Sequence, residues 1–264
     1  MKKSSLLAIS VASLVALVGC GKQASASAKD LDKKAAALFT QFYEGSIPEE
    51  ALTAVFSYQQ TLKVSGSSAT ETYPAGTYNF DGSFHIKYNS TSYEWEVDPQ
   101  EGEEWTPADI EEMNELVNDY EYGAQMGYTV AHLPYLVYSA IDLDEDRNFV
   151  CTYFQDQEET YKALEEKYAD VNLKFKFSYG TSPLAWSMGY TQSGDDAEEG
   201  EAATYKWKAE TSDSYTYDKY GFMTKLVKFQ SEEIKGISDR ELDGSFSIKE
   251  TYSIQYLTYS EVIA

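Results

Sequence analysis

The stretch that decides the fold is "SFSIKETYSIQYLTY", residues 245–259. Phe246, Ile248, Tyr252, Ile254 and Tyr256 fall on one parity, with Glu250 among them. Ser245, Ser247, Lys249, Thr251, Ser253 and Gln255 fall on the other, before Leu257 and Tyr259 end the run. Successive side chains of a strand point to opposite faces, whereas a helix repeats every 3.6 residues. The alternation therefore predicts one unusually long strand with an apolar and a polar face. An apolar row of that size is rarely left bare on a soluble protein. Something must pack on it, wholly or in part.

The same period recurs along the chain. Tyr58, Leu62 and Val64 alternate with polar residues, as do Phe84, Ile86 and Tyr88, then Tyr93, Trp95 and Val97. Asp81-Gly82 reads as a hairpin turn between strands. Val171, Leu173, Phe175 and Phe177 open a second β-rich run. It continues through "TYKWKAE", "DSYTY" and "FMTKLVKF", with "DKYG" (218–221) as a turn. "NFVCTYF" reads as a strand apolar on both faces, which buries Cys151. "SGDDAEEGEAA" (193–203) offers no apolar residue larger than Ala and reads as an acidic loop.

Helical spacing appears in four places. Leu31, Ala35, Leu38, Phe39 and Phe42 form a stripe that Gly45 ends. Ser46 and Glu49 then supply a capping box for a second helix to about Phe56. Thr106 and Asp109 do the same for a helix over 106–120. "DQEETYKALEEKYA" predicts a helix over 157–169 with Tyr161, Leu164 and Tyr168 inward. "HLPYLVYSAI" reads either as a short helix started by Pro134 or as a buried strand.

These elements predict an α+β fold: a large twisted antiparallel sheet, half-barrel or meander, with a few packed helices. Residues 30–264 read as a single α+β domain, with two similar β-rich halves, 30–105 and 106–264, as the alternative. "DGSFHIK" (81–87) and "DGSFSIK" (243–249) echo each other across those halves.

The N-terminus carries an address. Lys2 and Lys3 precede an uncharged run from Leu6 to Val18, too short for the roughly 20 residues of a membrane-crossing helix. It ends in Leu17-Val18-Gly19-Cys20. This resembles the lipobox of bacterial lipoproteins. The resemblance implies a signal peptide over 1–19, cleavage before Cys20 by the lipoprotein-processing enzymes, a diacylglyceryl group (with its palmitate-type chains) on the Cys20 thiol, and residues 20–29 as a lipidated tether. Two acyl chains hold a protein stably on a bilayer where one does not. The expected place is extracytoplasmic, on the bacterial cell membrane.

With Cys20 modified, Cys151 is the remaining thiol of two cysteines, so no disulfide within the chain is expected. Formal charge is −23, and loss of Lys2 and Lys3 makes it −25. That acidity argues against nucleic acid as a partner and against docking on anionic headgroups through the protein surface. The 23 Tyr outnumber the 12 Phe and 4 Trp, which suits half-exposed sheet faces and binding surfaces alike.

The search for chemistry returns little. His85 and His132 are far apart in sequence and form no local metal signature; His85 falls on the polar parity of its strand. No nucleophile-elbow, phosphate-loop or dinucleotide motif is present. Asp142, Asp144 and Asp146 have the first spacing of a calcium loop, yet Arg147 replaces its glycine and Tyr153 its glutamate. A solvated acidic turn is expected there, and no metal or cofactor. "NST" (89–91) is a glycosylation sequon, idle in a bacterial protein.

In element order the chain also resembles half-barrel lipoproteins that hold acyl chains in a concave sheet. That implies a non-catalytic binder of an amphiphilic, glycan or peptide ligand. An envelope interaction or scaffold lipoprotein without a small ligand is the alternative, and a hydrolase using carboxylates is a third reading, since 44 acidic residues hide any particular pair. Replacing Cys20 with Ala should leave the chain uncleaved or released; membrane fractionation and the intact mass would show normal processing if the lipobox reading is wrong.

Overall fold

The computed structural model of the chain describes residues 26–49, 51–92, 94–118, 132–196, 204–237 and 239–259. The alternating stretch forms a single strand, β10 (Gly244–Tyr259), and its partner β1 (Ala51–Gly66) runs antiparallel beside it from Gly66↔Gly244 to Ala51↔Tyr259. On its other side β1 pairs with β2 (Gly76–Asn89), and β2 with the short edge strand β3 (Glu94–Val97). β10 continues into β9 (Met223–Gly236), β8 (Tyr205–Tyr217), β7 (Leu184–Asp196) and β6 (Lys174–Thr181). The result is one open, twisted, antiparallel eight-stranded sheet of order β3-β2-β1-β10-β9-β8-β7-β6. The stretches 30–105 and 106–264 share this sheet through the β1–β10 ladder.

Helices pack on the apolar face. α1 (Ala28–Tyr43) starts with a capping box, in which Ser27 and Asp30 exchange bonds, and ends where Gly45 takes φ 70°. α2 (Pro107–Asn118) starts with the equivalent box of Thr106 and Asp109. α3 (Leu133–Val137) is the short helix that Pro134 permits. α4 (Tyr153–Lys167) follows a two-stranded hairpin of β4 (Ile141–Leu143) and β5 (Phe149–Cys151). α1 and α4 lie against β6, and α2 lies against β3.

The covered part of the sheet is read across the strands. One row runs Gly82, Tyr58, Tyr252, Leu226, Tyr215, Trp186 and Tyr179. Tyr252, Leu226 and Tyr179 belong to the buried core with Leu31, Leu38, Phe154 and Val137 of the helices. Trp186 and Tyr215 stack at 4.4 Å. At the other end of the strands Ala54, Phe56, Phe84 and Ile86 complete the core.

Four expectations are corrected. No helix runs to Phe56. From Ala51 the chain is strand, because Ala54, Phe56, Tyr58, Leu62 and Val64 share one parity and two neighbours supply ladder bonds that outweigh a capping signal. Asp81-Gly82 is no turn but lies inside β2. A Cβ on Gly82 would stand 2.6 Å from Cε1 of Tyr58, so the glycine makes room for that ring. The strand of "NFVCTYF" stops at Cys151; α4 begins at Tyr153, earlier than expected, and Tyr168 lies exposed beyond its end. Ser193 to Asp196 are not loop. They pair with β8, where the Trp207 ring lies over Gly194; residues 197–203 of the expected loop lie outside the described residues.

The two DGSF echoes take different places. Phe84 lies opposite Phe56 inside β2, and Phe246 lies opposite Val64 near the start of β10. They flank β1 from opposite sides and at opposite ends.

Asp32 is the contact that seats α4. Its carboxylate, 1% exposed, accepts from the backbone N–H of Phe154 at 2.9 Å and of Gln155 at 3.2 Å, and from Gln155 Nε2 at 2.9 Å. The Cys151 thiol donates to it at 3.4 Å. A carboxylate on α1 thus satisfies the first N–H groups of another helix. Asp32→Ala would leave those buried donors unpaired. Unfolding in denaturant should show a loss of about 3 kcal/mol, and the melting temperature should fall by roughly 6–12 °C.

Candidate functional site

The helical layer ends partway across the sheet, and the boundary is a groove. α2 is fixed there by two asparagines one turn apart. Asn114 Oδ1 accepts from Val97 N at 2.7 Å, and Asn118 accepts from Trp95 N at 3.0 Å and donates to the Trp95 carbonyl. An edge strand presents unpaired backbone groups that invite other chains. The asparagines occupy those of β3 and hold α2 at a set distance from the sheet. Between helix and sheet lies a groove of about 860 Å³. Tyr58, Phe80, Met113 and Leu116 give it apolar walls, and Glu94, Glu112 and Glu115 stand among its lining residues. Phe80 is 46% exposed although it sits on the apolar parity. Burial, then the charges of Asp81 and Glu112, raise the Tyr58 hydroxyl above its ordinary range.

A polar belt crosses the sheet next to the groove. Gln60, Glu250, Lys228 and Asp213 are cross-strand neighbours on four successive strands, and Gln60 Nε2 donates to Glu250 Oε1 at 2.8 Å. Opposite charges placed across neighbouring strands attract. Beyond the belt the apolar parity continues with Leu62, Val64, Ile248, Phe246, Ile234 and Trp207. Leu62 and Val64 are buried and the other four half-buried, yet none belongs to the core under the helices. The apolar face is therefore filled on one side of the belt and not packed by the described helices on the other.

The residues singled out in the sequence do not converge on this groove. Cys20 lies outside the described residues. Asp142, Asp144 and Asp146 belong to the β4–β5 hairpin and its turn. Asp144 accepts from Asn148 N at 2.8 Å and from the Asn148 side chain, and these bonds lower its carboxyl below the ordinary range. Arg147 takes φ 64° in place of the missing glycine. Among the described residues no group of three His, Cys, Asp or Glu side chains is placed to hold a metal. His85 lies on the polar face of β2, as its parity requires. Cys151 is buried, and burial pushes its thiol up to about 12, so at neutral pH it is an unreactive S–H. Asn114, Asn118, Phe80 and the Glu250 belt were not singled out. The signal available for the asparagines was a polar pair spaced i,i+4 beside an apolar stripe.

His132, whose surroundings the sequence left open, is a core residue. It is 2% exposed and stacks on Phe222 at 4.2 Å, with the edges of Phe42 and Tyr135 against it. Nε2 meets the Tyr220 carbonyl at 3.2 Å, which assigns the proton to that nitrogen; Nδ1 has no partner among the described residues. Tyr220 lies in the 218–221 turn, which Asp218 ties together by accepting from Tyr220 N, Phe222 N and the Tyr259 hydroxyl.

No protein family matches the sequence, and no curated protein matches it significantly.

Burial lowers His132 from 6.5 to about 4, partly offset by the Tyr220 carbonyl. Between those values the unfolded chain binds a proton that the folded chain does not, so stability is full above pH 6.5 and falls as pH drops toward 4. Denaturant midpoints across this range should show a loss of roughly 3 kcal/mol from this group, and His132→Leu should flatten that limb of the profile.

Proposed function

We propose that this chain is an extracytoplasmic lipoprotein, held on the bacterial cell membrane by a diacylglyceryl group on Cys20, that binds an amphiphilic ligand, or a glycan or peptide with an apolar side, on the partly covered face of its sheet. The observation that carries the binding reading is the groove beside α2, opening onto apolar strand positions that no described helix packs. Ligand sites are concave and largely apolar with a few placed polar groups. Here Tyr58, Phe80, Met113 and Leu116 supply the apolar part and Glu112 and Glu115 the polar part. The carboxylates disfavour fatty acids and other anions, so the occupant is neutral or cationic. Binding is preferred to catalysis because, among the described residues, neither the cysteine nor the core histidine is poised for chemistry: the Cys151 thiol is buried and protonated, and His132 is enclosed by aromatic rings. No helix among the described residues is long and apolar enough to cross a membrane; in this reading the attachment is the lipid on Cys20.

A scaffold lipoprotein with no small ligand is the second reading. The opposite sheet face favours it, being polar and free of helices among the described residues. Native mass spectrometry of protein purified gently from its own host separates the two. A bound neutral or cationic molecule of a few hundred daltons is expected, and Phe80→Lys should reduce its occupancy several-fold. A clean apo mass, with no thermal stabilisation by neutral or cationic amphiphiles, would leave the scaffold reading ahead.

A further inference from the structure

The polar face of the sheet sorts charge in a way the total charge hides. Lys63, Lys176, Lys208, Lys225 and Lys249 share this face on five different strands, by the register that puts Thr61, Ser178, Ser212, Ser214 and Thr251 beside them. All five are exposed. Lys87, Lys174, Lys206 and Lys235 lie on the same parity and make ion pairs, with Asp98, Glu165, Asp195 and Glu233. Eight of the chain's 21 basic residues thus stand on one helix-free face of a protein of net charge −23, while Lys174, on the edge strand β6, reaches round to Glu165 of α4. The strand carboxylates on that parity are fewer: Asp81, Glu96, Asp195, Glu210 and Glu233, with Glu94 at the β3 edge, where it also lines the groove.

We infer that this lysine-bearing face docks on the anionic headgroups of the bilayer to which the chain is tethered, which rests on the lipid-anchor reading above. Eight strands about 4.8 Å apart make a surface roughly 34 Å across, framed by short Ser and Thr side chains that let the lysines stand proud. The acidic helices are on the far side. Val117 and Met113 of α2 and Tyr161 of α4 pack on the apolar face, which turns Glu111, Glu159 and Glu166 outward from the sheet. Packed layers are centred about 10 Å apart, whereas charges are screened over about 8 Å at physiological salt. A bilayer touching the lysine face therefore meets the lysines and little of the acid behind them. Distance also permits it. Cys20 lies six positions before Ala26, which bridges to Tyr179 of β6, and an extended chain of that length spans about 20 Å. Each lysine near an anionic surface contributes a weak, salt-screened attraction, so the docking is loose and salt-dependent.

Acetylation footprinting tests this on the processed protein, purified from bacterial membranes and reconstituted into vesicles of phosphatidylcholine alone or with about one-third phosphatidylglycerol. In the anionic vesicles the acetylation rates of Lys63, Lys208, Lys225 and Lys249 should fall at least threefold, and 0.5 M NaCl should restore them. Lys33 and Lys34 on α1 should react alike in both. The intact mass reports separately on the anchor: a Cys20 without a diacylglyceryl group overturns the tether, whereas a lipidated chain whose face lysines react equally in both vesicles overturns the docking. Protection by soluble polyphosphate but not by the anionic vesicles would also overturn it, and would assign the face to a soluble polyanion.

Discussion

A single buried carboxylate sets the helical layer on the sheet. Asp32 has no place to hide its charge except among N–H groups, and the ones it finds belong to the first turn of α4. The free N–H groups of a helix start are where an anion is least costly. Because Asp32 sits on α1, the two helices are fixed in register with each other. α1 contacts β5, α3, α4 and β6, so its position propagates to most of the layer. The Ala26–Tyr179 bridge secures the same region from the chain that precedes the helix.

The sheet depends on a different constraint, the pairing of the first long strand with the last. β1 and β10 run together over the whole of β10. Outside the register shifts at Ala51–Ala54 each keeps its period of two, so a one-residue slip would exchange apolar and polar side chains along the ladder. This register brings Phe56, Tyr58 and Tyr252 onto the helix side and the lysines and serines onto the other. Glycines at 82 and 194 give up side chains so that Tyr58 and Trp207 can lie flat over neighbouring strands.

Between these two constraints lies the groove. The layer tied to Asp32 covers one end of the apolar face, and α2 is tied by Asn114 and Asn118 to the β3 edge. Neither reaches the rows of Leu62, Ile248 and Phe246. The belt of Gln60, Glu250, Lys228 and Asp213 marks the change from filled core to partly open face. The half-buried polar groups there cost little because they meet one another across strands.

Much of the architecture was legible in the sequence because periodicity and capping are properties of neighbouring residues. The alternation of 245–259, the Thr106–Asp109 box at the start of α2, and the 218–221 turn all act over a few residues. The errors came where local signals competed with distant partners. Ser46 and Glu49 could cap a helix, but two long strands claimed the residues after them. Asp81-Gly82 could turn, but the ring of Tyr58 required the glycine inside a strand. Asp32, Asn114 and Gln60 are ordinary polar residues until the fold brings them to Phe154, Val97 and Glu250. A parity assigns each lysine to a face of its own strand. Only the register of eight strands, spanning partners as far apart as Gly66 and Gly244, puts those faces on one side. Sequence fixes what contiguous backbone geometry can repeat; tertiary structure decides which distant groups share a dielectric, and so where a binding surface lies.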